Sequence, residues 1–312
     1  MKCALAAMGF INENVQYNQK VIVDTMAKCS RNVDIVIFGE AFLQGFYGAT
    51  FDTKHDENIA FSQNDLMIKE IAVAAKEYKI AVSFGFIEKE KDWFYSSQMT
   101  IDSDGKIIDI YRRVSPGWKE EFACDRYCEG KGFHTFEFYK KKIAIGLCGD
   151  LWFEENIRSI TETHPDLVFW PVYTDFNYTE WNTAIKYEYA EQASKINAPV
   201  LYVNSFCIDK KEECEIAKGG AALFDNGKIV KEMSIKQKSL IMCMTTGMIF
   251  GIVPVMTLRC YEYGATETWL LIARSAFMLI FLGPRLLKNV NLKKVIKALY
   301  LLHFFGIKTR VS

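Results

Sequence analysis

The feature that most constrains this chain is a regular alternation of short apolar runs with amphipathic helical stretches, sustained to about residue 237. Strand-like runs fall at 3–9, 34–38, 80–86, 98–102, 142–147, 167–170, 199–203 and 220–224. Helical patterns lie between several of them, near 16–30, 64–78 and 178–195. In the last, Ala184, Ile185, Tyr187, Ala190, Ala193 and Ile196 recur at helical spacing with Lys and Glu between them. Strand–helix alternation of this kind points to an α/β layered fold, because each element must bury an apolar face against another layer. Asp-Ser-Asp-Gly at 102–105 and Asp-Asn-Gly at 225–227 are hairpin turns flanked by apolar strands. Two hairpins imply mixed sheets rather than purely parallel ones.

Composition excludes little but says something about partners. Half of the 312 residues are apolar, about a quarter are charged, and the formal net charge is zero. A neutral balance offers no electrostatic footprint for nucleic acid. The nine cysteines are irregularly spaced, which fits reduced thiols rather than a disulfide framework. Cys124 and Cys128 are the closest pair, but with no His nearby they make a poor zinc site. The opening Met-Lys-Cys-Ala-Leu-Ala-Ala reads as a first strand rather than a signal peptide, so a cytoplasmic location is expected.

The pattern changes after the second hairpin, and the expected division is a domain over 1–238 and an atypical tail over 239–312. Ser239 to Leu258 carries no charged residue, which meets the length criterion for a membrane span, although its Thr, Gly and Pro content argues against one. From Arg259 onward Lys and Arg exceed Glu by seven. Three readings of the tail stand side by side: a membrane contact, a packed element, or an aberrant C-terminus.

Three segments carry chemically useful residues, each at the end of a strand. In Ile-Gly-Leu-Cys148-Gly149-Asp150, an apolar strand stops at a small, turn-forming stretch that would present the thiol rather than pack it. In Asp34-Ile-Val-Ile-Phe-Gly39-Glu40, a wholly apolar strand ends in a carboxylate, a costly placement unless the group is paired or working. In Tyr111-Arg112-Arg113-Val-Ser-Pro-Gly-Trp118-Lys119-Glu120-Glu121, a strand runs into a charged loop.

A carboxylate, a base and a cysteine in that order make the chain resemble the nitrilase superfamily of carbon–nitrogen hydrolases. Gly146 to Glu154 matches the nucleophile segment. Asn18, Ala74 to Gly85, Asp166 to Pro171, Trp181, Glu188, Ala190, Asn204 and the glycine hairpin from Lys218 to Gly227 match the family in order and spacing. The resemblance covers residues 3 to about 235. It implies a four-layer α-β-β-α sandwich of the nitrilase type, no metal or organic cofactor, and a homodimer or higher assembly. It further implies hydrolysis of a small amide or carbamoyl compound through a Cys148 thioester, with Glu40 as general base. A basic residue and a backbone N–H at Gly149 would hold the oxyanion. Glu120 or Glu121 would orient the base, and Tyr173 would line the pocket.

Three departures from the family pattern bear on the site. The family expects Lys directly after Tyr-Arg, where this chain has Arg113, a planar and permanently charged group. Either Arg113 fills that role or Lys119 reaches in from six residues on, with Lys119 slightly favoured. Gly39 stands where Pro is usual, and Gly149 where Tyr is usual, leaving a roomier pocket. Two further readings are a catalytically impaired scaffold and a tail-tethered acyltransferase using the same thioester.

Overall fold

Side-chain alternation along the strands sorts their residues onto two faces, and both faces are buried. In the strand Ile35–Phe38, Ile35 and Ile37 point one way while Val36 and Phe38 point the other. In Leu167–Val172, Phe169 faces one core, and Val168, Trp170 and Val172 face another. Strands apolar on both faces need a layer on each side, and three stacked cores provide them. The computed structural model describes residues 1–176, 178–209 and 217–233. The tail expected at 239–312 lies outside the described residues.

In chain order the elements are β1 (Cys3–Ala6), β2 (Gly9–Phe10), α1 (Val15–Cys29), β3 (Ile35–Phe38), α2 (Thr53–Ile59) and α3 (Leu66–Tyr78). Then come β4 (Ala81–Glu90), β5 (Trp93–Ile101), β6 (Ile107–Arg112), β7 (Thr135–Phe138), β8 (Lys141–Ile145) and α4 (Glu154–Glu162). They are followed by β9 (Leu167–Val172), α5 (Tyr178–Glu180), α6 (Lys186–Ser194), β10 (Val200–Cys207), β11 (Lys218–Asp225) and β12 (Lys228–Met233). Short 3₁₀ turns occupy Phe46–Gly48 and Cys148–Trp152, and a π-helical stretch, Trp181–Ile185, joins α5 to α6.

One sheet has the order β1-β3-β4-β5-β6, and the other β12-β11-β10-β9-β8-β7 with β2 beside β10. Each combines parallel strands with antiparallel neighbours. Both expected hairpins form, between β5 and β6 and between β11 and β12. Asn226 and Gly227 both take positive φ, as a tight Asn-Gly turn requires.

The two sheets meet through Ile35, Ile37, Ala81 and Tyr111 on one side and Ile143, Ile145, Phe169 and Val203 on the other. The outer face of the first sheet packs under α1 and α3 through Ile22, Met26, Ile68, Ile71, Val36 and Phe84. The outer face of the second packs under α4 and α6 through Ile157, Ile160, Tyr189, Trp170 and Tyr202. This is the expected four-layer α-β-β-α sandwich. Each large apolar side chain removed fully from water contributes about 1.5–3 kcal/mol, so the layers hold rigidly the strand ends where the chemistry is placed. Among the described residues no helix is long and apolar enough to cross a membrane.

Candidate active site

The β8 strand ends at Ile145, and three residues later Cys148 takes φ +47°. A non-glycine residue in this region stores about 1–3 kcal/mol of strain and persists only where its surroundings enforce it. Here they do. Trp170 Nε1 donates to the Cys148 carbonyl at 2.8 Å, and the Gly146 amide donates to Phe169 O at 2.9 Å. The Asp150 carboxylate accepts from the Leu147 amide at 2.9 Å. The turn leaves Cys148 half-buried as a residue, with Sγ 3.8 Å from the Tyr173 carbonyl oxygen. The Tyr173 ring stacks on Phe46 with centroids 4.5 Å apart, so the backbone beside the sulfur is fixed by packing.

Glu40 follows β3 and is fully buried. A Cβ on Gly39 would lie 2.8 Å from the Val172 carbonyl oxygen and 2.9 Å from the Ser205 amide nitrogen. The second sheet therefore passes too close for a side chain at this position, and glycine is required. Glu40 Oε1 accepts from Arg113 Nη1 at 2.9 Å and from Ser96 Oγ at 3.2 Å. Oε2 is buried and has no hydrogen-bond partner among the described residues.

Arg113 lies just past β6 and is 4% exposed. Besides Glu40, its Nε donates to Ser115 Oγ at 2.9 Å and its Nη2 to the Pro116 carbonyl at 3.1 Å. The guanidinium lies over Gly149, next to the nucleophile. Lys119 is elsewhere: its Nζ donates to the Tyr127 carbonyl at 2.6 Å and pairs with Glu129 at 2.9 Å. Glu120 and Glu121 are both exposed. The fold thus brings together Glu40, Arg113, Cys148, Gly149 and Tyr173, and it does not bring Lys119 or Glu120 to them.

The electrostatics follow from burial. Removal from water pushes the Cys148 thiol up to about 12, and the neighbouring Glu40 charge adds to the rise, while Arg113 opposes it. Burial also works against the Arg113 charge, but Glu40, Cys148 and Asp150 together outweigh it and hold the guanidinium above its ordinary pKa. The site sets a thiol whose ionisation burial disfavours beside a carboxylate paired with an arginine.

Asp150 is the group that sequence reasoning left without a role. It is fully buried, and it accepts from Tyr111 Oη at 2.6 Å, Leu147 N at 2.9 Å, Ser115 N at 2.7 Å and Val114 N at 3.1 Å. One carboxylate thereby fastens the Cys148 turn to the backbone that carries Arg113. Burial pushes it up, against the bonds from Tyr111, Ser115 and Leu147. The signal was an acidic residue two positions after the cysteine, in a segment otherwise free of charge.

The family model for carbon-nitrogen hydrolases matches residues 4–245. The chain belongs to the carbon–nitrogen hydrolase family. It is 26% identical to an N-carbamoylputrescine amidase of Arabidopsis thaliana over 166 residues, which cover 52% of this chain and 54% of that protein. It is 22% identical to a citrullinase of Francisella tularensis over 177 residues, 55% of this chain and 60% of that protein. The chain thus spans little more than half the length of the curated relatives it matches. An amidase from Nesterenkonia sp. shares the fold, with a TM-score of 0.61 at 16% identity, covering 76% of this chain and 87% of that one. A variant of that amidase carries acrylamide joined by Michael addition to its active site cysteine.

Proposed function

We propose that this carbon–nitrogen hydrolase cleaves a small linear amide or carbamoyl compound through a thioester at Cys148. The observation that carries this reading is a thiol on an enforced positive-φ turn, set beside a buried Glu40–Arg113 pair. Relatives named for carbamoyl and ureido substrates, N-carbamoylputrescine amidase and citrullinase, support the substrate class.

With its pKa near 12, the thiol stays protonated at neutral pH, so the proton must leave as the sulfur attacks. Glu40 takes it, and the sulfur adds to the carbonyl carbon. The oxygen that becomes negative is held by Arg113 and by the Gly149 amide. Of the five guanidinium N–H groups, three serve Glu40, Ser115 and Pro116, which leaves two for the oxyanion. Collapse of the tetrahedral species breaks the C–N bond, and the departing nitrogen takes the proton back from Glu40. A water then gives its proton to Glu40 and attacks the thioester, and the second collapse releases the acid and the thiolate, which recovers the proton from Glu40. Arg113 is assigned the cationic role in preference to Lys119, whose ammonium is engaged by Tyr127 and Glu129.

Ammonia release by the purified chain from a panel of short amides and ureido compounds tests the proposal. Release that disappears in Cys148→Ala is the expected result. No release from any member of the panel by a folded sample would remove simple amide hydrolysis.

A further inference from the structure

Gly149 follows the nucleophile, and its φ lies outside the left-handed region that favours glycine. Backbone freedom therefore does not account for a glycine here. Space does. A Cβ at this position would fall 2.6 Å from Arg113 Nη2, inside any real carbon–nitrogen contact, and 3.2 Å from Ser115 Oγ. Neither neighbour is free to retreat. The guanidinium is tied at Nη1 to Glu40, at Nε to Ser115 and at Nη2 to the Pro116 carbonyl. The Ser115 amide is tied to Asp150, which also anchors the turn bearing Gly149. The cation and the missing side chain occupy one rigid unit.

We infer that Gly149 is a positioning residue whose lack of a side chain admits an arginine as the cation beside Cys148. Arg113 and Gly149 are then a size-coupled pair: the broad, planar guanidinium fits only because position 149 is empty. The inference rests on the reading of Cys148 as nucleophile and Arg113 as its cation, and it makes the identities of the two positions depend on each other. An alanine at 149 retains the backbone N–H offered to the oxyanion, so its effect would pass through the guanidinium and the Ser115 hydroxyl bonded to it.

The test is the pH-dependent rate of Cys148 alkylation by iodoacetamide, followed on the Cys148 peptide by mass spectrometry. It compares the unaltered chain, Gly149→Ala, Arg113→Lys and the double variant. The readout needs no substrate, so failure of the amidase reading and failure of the coupling remain distinguishable. An opposite charge within about 4–6 Å moves a pKa by about 1–3 units. Displacing the guanidinium is therefore expected to slow alkylation about tenfold at a fixed pH below the thiol pKa. The same Gly149→Ala change should alter the rate less than about twofold when Arg113→Lys is already present, because the slimmer side chain leaves the space open. Equal effects of Gly149→Ala in both backgrounds would overturn the inference. Thermal melting covers the case of poor folding. A Gly149→Ala chain that melts early but recovers with Arg113→Lys reports the same coupling, whereas early melting in both backgrounds refutes it.

Discussion

Replacing Asp150 by Asn changes one oxygen for an NH₂ group at the centre of four hydrogen bonds, and the outcome can be worked out bond by bond. With the amide oxygen in the place of Oδ1, the Val114 and Ser115 amides keep an acceptor. The NH₂ group then faces Tyr111 Oη and the Leu147 amide. The phenol can turn to accept, but the Leu147 N–H cannot, and a buried donor left without an acceptor costs about 1–3 kcal/mol. The surviving bonds fall from charged to neutral, a loss on the order of 1 kcal/mol each. Relief of the buried charge returns part of this, so the net destabilisation should be about 3 kcal/mol. That is a large share of the 5–15 kcal/mol typical of a folded domain. Tyr111→Phe removes a single bond and should cost about 1–2 kcal/mol. Urea unfolding measures both, provided that the midpoint moves at constant m. An Asp150→Asn loss below about 1 kcal/mol, or smaller than that of Tyr111→Phe, would refute the idea that this carboxylate clamps the turn.

Arg113→Ala should lower kcat/KM by about 10²–10³, the usual cost of one oxyanion donor, while Lys119→Ala should change it less than about threefold. Steady-state kinetics on any accepted amide separates the two. The Cys148 alkylation rate should rise about tenfold per pH unit between pH 7 and 10, because only the thiolate reacts and its pKa lies near 12. A plateau below pH 9 would contradict this. The hydrogen bond from His134 to Asp109 raises the His134 pKa above its ordinary 6.5. Its contribution to stability is therefore fully present below pH 6.5 and is lost as pH rises through the folded value. His134→Gln should flatten that part of the melting-temperature profile, and an unchanged profile would exclude the pair as its source.

Much of the sandwich was readable because its strands are apolar on both faces and its main helices are long. The stretch 16–30 became α1, 64–78 became α3, and 178–195 became the joined α5 and α6. The helix α4 was not read, since its nine residues bury only Ile157 and Ile160, too few to set up a period. The strands β7 and β12 are short and partly charged, and pairing in the sheet decides them rather than composition. At the site, Glu40 was legible as a costly carboxylate at a strand end, and Cys148 as a thiol presented by a strand-ending turn. The choice between Arg113 and Lys119 was not, because a side chain's partners depend on tertiary placement. Nothing in the local sequence shows that Glu129, ten residues on, holds Lys119. Asp150 was hidden for a similar reason, as three of its four donors come from the β6 end, 35 to 39 residues earlier in the chain.

The central claim, a thioester at Cys148, is tested most directly by acid-quenching the protein during turnover of a small amide and mapping the adduct by peptide mass spectrometry. The account predicts an acyl group on the Cys148 peptide that hydroxylamine removes, and that is absent from Cys148→Ala. Turnover with an unmodified Cys148, or an acyl group carried by another residue, would contradict it.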